Sequence, residues 1–174
     1  TVNRRMLNIY NSNREETARM PNLNRLAQRG VVFDNHWCGS APCMPARKDI
    51  MTGRLNFLEK PWGAIEPYEQ TLQTLLAEKN VHTMMFSDHS HYVIPGGENY
   101  TKGFTAWEVF RGQEGDPWCV APDQTGIRRE QRPEGFKGEY SESETANRKR
   151  LKTEAEYPSV KTLSSAARWL EENH

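Results

Sequence analysis

Apolar positions divide this chain into stretches of helical or extended period, separated by polar runs. The opening, Thr1 to Arg19, is polar and irregular, with Met6, Leu7 and Ile9 as its few anchors. Pro21 then suits the start of a short helix in which Leu23, Leu26 and Ala27 share a face, and Gly30 offers a left-handed turn to end it. Val31 to His36 reads as a strand. The next helix is predicted from about Met44, with Pro45 in its first turn, Gly53 at its end, and Ala46, Ile50 and Met51 facing a core. Glu69 to Lys79 reads as another helix through Leu72, Leu75 and Leu76, capped by Asn80, and Val81 to Phe86 reads as a strand. From Gly96 to Tyr157, glycine, proline, tryptophan and charge interrupt every periodic run, which suits a functional loop or a segment packed on a partner. Val160, Leu163, Ala167 and Leu170 predict a last helix from about Ser159 to Glu172, whose apolar stripe needs a covering surface. This order of elements predicts an α/β fold, a layered and mostly parallel sheet flanked by helices with reactive groups at strand ends.

Composition narrows the function classes. The chain has 174 residues, 36% of them hydrophobic, enough for one core and without a sign of two independent domains. Its 23 basic and 23 acidic side chains cancel, which argues against broad electrostatic capture of nucleic acid. No apolar run approaches the length of a membrane span, so no membrane partner is expected. A secretory leader is not visible, and a chain starting at Thr1 is expected to have lost its true start; bacterial periplasm and cytoplasm both stay open. Cys38, Cys43 and Cys119 are an odd number without zinc-ribbon spacing, so a disulfide framework is weakly supported.

Candidate chemistry concentrates in two places. In Cys43-Met44-Pro45-Ala46-Arg47, a potential nucleophile sits at the positive end of the predicted helix, and Arg47, four residues on, returns to the same side. That pairing suits attack on an anionic ester, although a cysteine near a helix start can also be inert. In Asp88-His89-Ser90-His91, extended backbone would point His89 and His91 the same way. Their neutral nitrogens could ligate a metal, or their charged forms could bind an anion and protonate a leaving group. They also read as ordinary polar loop residues, since a third spaced ligand is missing. Tyr100, Trp107, Phe110 and Trp118 could stack on a sugar ring or fill a loop core. Glu114 and Asp116 are too few to define a metal site.

Cys43-x-Pro45-x-Arg47, with Thr52-Gly53-Arg54 downstream, resembles the signature of the sulfatases in the alkaline-phosphatase-like superfamily. Met20-Pro21-Asn22-Leu23-Asn24-Arg25-Leu26-Ala27 is similar to the segment that precedes the signature in that family. Lys48 departs from the pattern, standing where a small residue is common. The resemblance implies an alkaline-phosphatase-like α/β fold, incomplete in this chain: residues 1–174 would be part of an N-terminal catalytic domain with an irregular insertion at about 96–157. It implies that Cys43 is oxidised to formylglycine, which also touches the metal, that Arg47 holds it, and that Pro45 belongs to the recognition signal. His89 would take the place of a substrate-binding lysine, weakening as pH rises above about 6.5, and His91 that of a catalytic proton donor. The implied cofactor is a divalent cation, Ca2+, with its other ligands outside this chain. The implied partners are a sulfated small molecule or saccharide and the remaining sulfatase sequence, without which residues 1–174 are expected to be inactive. A phosphonate or phosphate ester hydrolase of the same superfamily, and a non-catalytic scaffold in which Cys43 stays a thiol, are the alternatives.

Overall fold

The computed structural model describes residues 4–11, 18, 20–113, 115–119 and 142–173. The chain forms two compact units, Thr1–Cys38 and Gly39–His174.

In the first unit a 3-10 turn, Arg4–Met6, precedes helix α1, Pro21–Arg29, which starts with proline as predicted. Gly30 is extended (φ −124°, ψ −164°) and makes no left-handed turn. Val31 to His36 does not form the expected strand. Its carbonyls take side-chain donors instead: Tyr10 Oη donates to the carbonyl of Phe33 at 3.1 Å, and Arg4 donates to that of Asp34. An apolar run becomes a strand only where a neighbouring strand takes its backbone groups.

The second unit begins with helix α2, Cys43–Thr52. Gly53, at φ +68°, closes it in the left-handed region, its N–H donating to the carbonyl of Asp49 at 2.8 Å. Of the expected core face Ala46, Ile50 and Met51, Met51 is buried and Ala46 half-buried, but Ile50 is 77% exposed, and Met44 and Lys48, the latter 3% exposed, are buried instead. The reason is an ion pair under the helix: Lys48 Nζ lies 2.9 Å from Glu69 Oε2 and donates to the carbonyl of Ala64 at 2.9 Å. Helix α3, Leu72–Glu78, is shorter than the predicted Glu69 to Lys79, because Thr71 and Thr74 form a capping box that fixes its start. Asn80 leaves it at φ +56°, and the Val81 N–H donates back to Leu76 at 3.0 Å.

Strand β1, Met84–Ser87, pairs in parallel with β2, Ala106–Val109, in the register Met84 to Ala106 through Ser87 to Val109. Thr83 N–H donates to Thr105 Oγ1 at 3.0 Å before the ladder, and Phe110 N–H donates to the Ser87 carbonyl at 2.8 Å after it. These two strands make the whole sheet among the described residues, and helix is the predominant structure. The expected layered, sheet-dominated fold is therefore corrected to a mostly helical one: Val31 to His36 contributes no strand, and β1 has a single partner. The stretch from 96 to 157 holds β2 and helix α4, Glu142–Arg150, neither of which periodicity predicts.

Helix α5, Pro158–Asn173, lies against β1, where Phe86 and Trp169 meet edge to face at 6.5 Å. The central cluster of this unit consists of Met44, Met51, Ile65 and Tyr100, with Tyr92 and Phe104 packed on it. It thus joins both ends of α2 to the crossover that follows β1. Among the described residues no helix is long and apolar enough to cross a membrane.

Candidate functional site

Cys43 is the first residue of α2, half-buried, with a free thiol. The unpaired N–H groups of a helix's first turn give that position a partial positive charge. Arg47 follows one turn later, about 6 Å along the axis on the same side. Its Nη1 donates to Tyr92 Oη at 3.0 Å, and its guanidinium carbon lies 5.2 Å from the centre of the Tyr92 ring.

The loop after β1 supplies the opposing wall. Ser87 Oγ accepts the His89 N–H at 3.1 Å, and His89 is extended before the chain turns into a 3-10 segment, Ser90–Val93. That change of backbone, rather than continuous extension, sets the two imidazoles side by side with ring centres 4.8 Å apart. His89 also meets Tyr92 edge to face at 5.4 Å, and His91 meets Trp62 in the same way at 4.8 Å. His89 is 7% exposed. Its Nε2 and His91 Nδ1 are buried without a hydrogen-bond partner among the described residues. A buried polar atom in that state costs roughly 1–3 kcal/mol, an unusual expense to meet twice on adjoining rings.

Burial, then the charges of Arg47 and His91, push the His89 imidazole down to about 4. It is consequently neutral near pH 7 and bears one N–H and one lone pair, not the charge that a stand-in for lysine would carry. Burial also raises the Tyr92 phenol against the opposing pull of Arg47. Tyr92 stacks on Tyr100 with ring centres 5.3 Å apart and 28° between planes. Tyr100, 1% exposed, places its hydroxyl 3.0 Å from the Met44 carbonyl and 3.2 Å from that of Gly63.

Arg47, His89 and His91 are thus brought to one place around Tyr92, with Cys43 on the adjoining turn of α2. Tyr92, Trp62 and the Lys48–Glu69 pair were not among the residues singled out from sequence as the site. Tyr92 could have been found by reading one residue past His91; the others meet the site only through the fold. Of the aromatics weighed as sugar platforms, Tyr100 is core, Trp107 lies exposed on β2, and Trp118 lies 4.8 Å beneath the Arg150 guanidinium. Asp116 is engaged by Arg111, at 2.7 and 2.8 Å, and by the Gly112 N–H at 2.7 Å, which makes it a loop anchor. Glu114 lies outside the described residues.

Calcium needs some six to eight oxygen ligands. Among the described residues no group of three or more His, Cys, Asp or Glu side chains is placed to hold a metal ion, so this site on its own does not fit that cation.

Residues 1–168 of the chain match the family described as Sulfatase. No curated protein and no solved structure matches it.

Proposed function

Because this chain belongs to the sulfatase family, we propose that it hydrolyses sulfate esters, with a formylglycine made from Cys43 as the nucleophile-bearing group and Arg47, His89 and His91 as the residues that receive the sulfate. The observation that carries this reading is the meeting of the Arg47 cation and two unpartnered, buried ring nitrogens at Tyr92, one helical turn from Cys43. A sulfate ester offers what each group lacks: oxygens for the guanidinium and for an imidazole N–H, and an ester oxygen that must gain a proton as it leaves.

A hydrated formylglycine at position 43 supplies a geminal diol, one oxygen of which bonds to sulfur while the other allows sulfate to be expelled later. Position 43 suits such a group, being half-buried at the positive end of α2 with a fixed cation one turn away. Arg47, gripped by Tyr92, neutralises charge on the sulfate oxygens, and its planar fork matches two of them. His89, neutral in the free protein, donates one hydrogen bond from a site already stripped of water. His91 gives a proton to the departing alcohol. Tyr92 keeps its own proton, accepts from Arg47, and so aims the guanidinium without competing for the anion. No step is assigned to a metal ion.

The test is chemical. The native protein, made in cells that carry a formylglycine-generating enzyme, should react at position 43 with an aminooxy probe, and should cleave an aryl sulfate in preference to a phosphate diester or a phosphonate. An intact thiol at Cys43 in that preparation overturns the proposal, and preference for the phosphorus esters would reassign the substrate.

A further inference from the structure

A second opening lies beyond the other end of α2, separated from Cys43 by the ten-residue length of that helix, about 15 Å. It is a pocket of about 510 Å³, within the roughly 300–1,000 Å³ range of small-molecule sites. Arg54, Glu59, Lys60, Tyr68 and Gln70 line it, and no aliphatic side chain does. Its ligand is therefore polar over most of its surface.

The charges in the pocket are unequal. Glu69, at its base, is fully engaged: one oxygen takes Lys48 Nζ at 2.9 Å and the Glu66 N–H at 2.7 Å, and the other takes Lys60 Nζ at 3.0 Å. Lys60 is correspondingly committed, to Glu69 and to the Tyr68 hydroxyl at 3.3 Å. Arg54 and Glu59 remain, and the side chain of neither has a hydrogen-bond or ion-pair partner among the described residues. Arg54 is held in place from below: Asn56 Nδ2 donates to its carbonyl at 2.9 Å and to Thr52 Oγ1 at 3.2 Å, and Gly53 fixes the turn before it. Its guanidinium therefore projects from a braced turn.

We propose that this pocket binds an acidic sugar, a ring carrying one carboxylate or sulfate. A bare anion such as phosphate would meet the repulsion of Glu59, and an uncharged sugar would leave Arg54 unused. A hydroxylated ring with one anionic substituent answers both: the substituent takes the planar fork of Arg54, and hydroxyls donate to Glu59 and to Gln70. Tyr68, 78% exposed, provides an aromatic surface for the ring. The site is distinct from the Arg47 cluster, and its occupancy does not depend on chemistry at Cys43.

Calorimetric titration of the full chain carrying Arg47→Gln, which silences the site proposed above, with a sulfated disaccharide, a uronate disaccharide and an uncharged disaccharide tests this. At least one acidic disaccharide should bind, with the uncharged one weaker on the order of tenfold or more. Arg54→Gln added to this protein should abolish that preference, and Tyr68→Ala should weaken all binding. Which acidic ligand binds tells sulfate from carboxylate. Absence of binding by either, equal binding of the uncharged sugar, or an unchanged preference on Arg54→Gln would each overturn the assignment. Because the titrated protein lacks Arg47 and the readout is binding alone, a thiol at Cys43 would refute the proposed hydrolysis and leave this result standing.

Discussion

Tyr92 engages Arg47 in two ways at once: its hydroxyl accepts from Nη1 at 3.0 Å, and its ring stands 5.2 Å from the guanidinium carbon. The two contacts separate cleanly by substitution. Tyr92→Phe keeps the ring on Tyr100 and removes only the acceptor, so the fold should persist while the guanidinium loses its aim. A hydrogen bond to a charged group is worth about 1.5–3 kcal/mol, so kcat/KM for an aryl sulfate should fall by on the order of tenfold to a hundredfold. Steady-state kinetics, with the aldehyde content at position 43 measured alongside, checks this; unchanged kinetics would mean that Arg47 is fixed by something else.

Cys43→Ala should leave a folded protein with no probe-reactive aldehyde and no sulfate-ester turnover. Arg47→Lys retains the charge and loses the planar fork, so its turnover should drop by on the order of a hundredfold even where the aldehyde forms. Mass spectrometry of the peptide containing position 43 distinguishes a failure of conversion from a failure of catalysis.

His89 should titrate near 4, and an NMR titration of its ring carbons reads this directly. Since its folded value lies below the ordinary one near 6.5, the unfolded chain binds more protons between those two values. Stability tied to His89 is therefore complete above about 6.5 and is lost as pH falls toward 4. Removing the neighbouring cation with Arg47→Gln should move the titration upward; a His89 that titrates near 6.5 in the native protein would contradict the burial described for it.

The carboxyl of Glu69, despite burial that opposes ionisation, is lowered to about 2 by Lys48, the Glu66 N–H and Lys60. Its contribution is present above the ordinary carboxylate value near 4.5 and is lost as pH falls toward 2. Glu69→Gln leaves Lys48 buried without its counter-charge, and should destabilise the protein by about 3 kcal/mol at neutral pH. Denaturant melts of the two proteins at pH 7 and at pH 3 measure it, and the gap should narrow at the lower pH.

Local signals were legible along the chain and non-local ones were not. Pro21, Gly53 and Asn80 mark helix boundaries by their own backbone preferences, and each lies at one. Gly30 had the same freedom without using it, since nothing after α1 requires a reversed turn. β1 was readable as a short apolar run, whereas its partner Ala106–Val109 is mostly exposed and carries no alternation to read. Val31 to His36 had the right composition and no neighbouring strand among the described residues. The Cys43–Arg47 relation follows from helical spacing alone, and the imidazole pair from adjacency. The link between those halves spans 45 residues, from Arg47 to Tyr92, and no periodicity encodes a contact of that kind. Lys48 shows the same limit: nothing local to it signals burial, and it is buried because Glu69 lies within ion-pair distance of it.

Through its hydroxyl, Tyr100 couples three stretches that are remote in sequence: the crossover it belongs to, the backbone beside the nucleophile at Met44, and the loop at Gly63 next to Trp62. Any graft or loop exchange meant to retune selectivity around Trp62 would therefore be transmitted to the reacting end of α2. An engineer would have to treat loop and nucleophile as a single mechanical unit, with that phenol as its hinge pin.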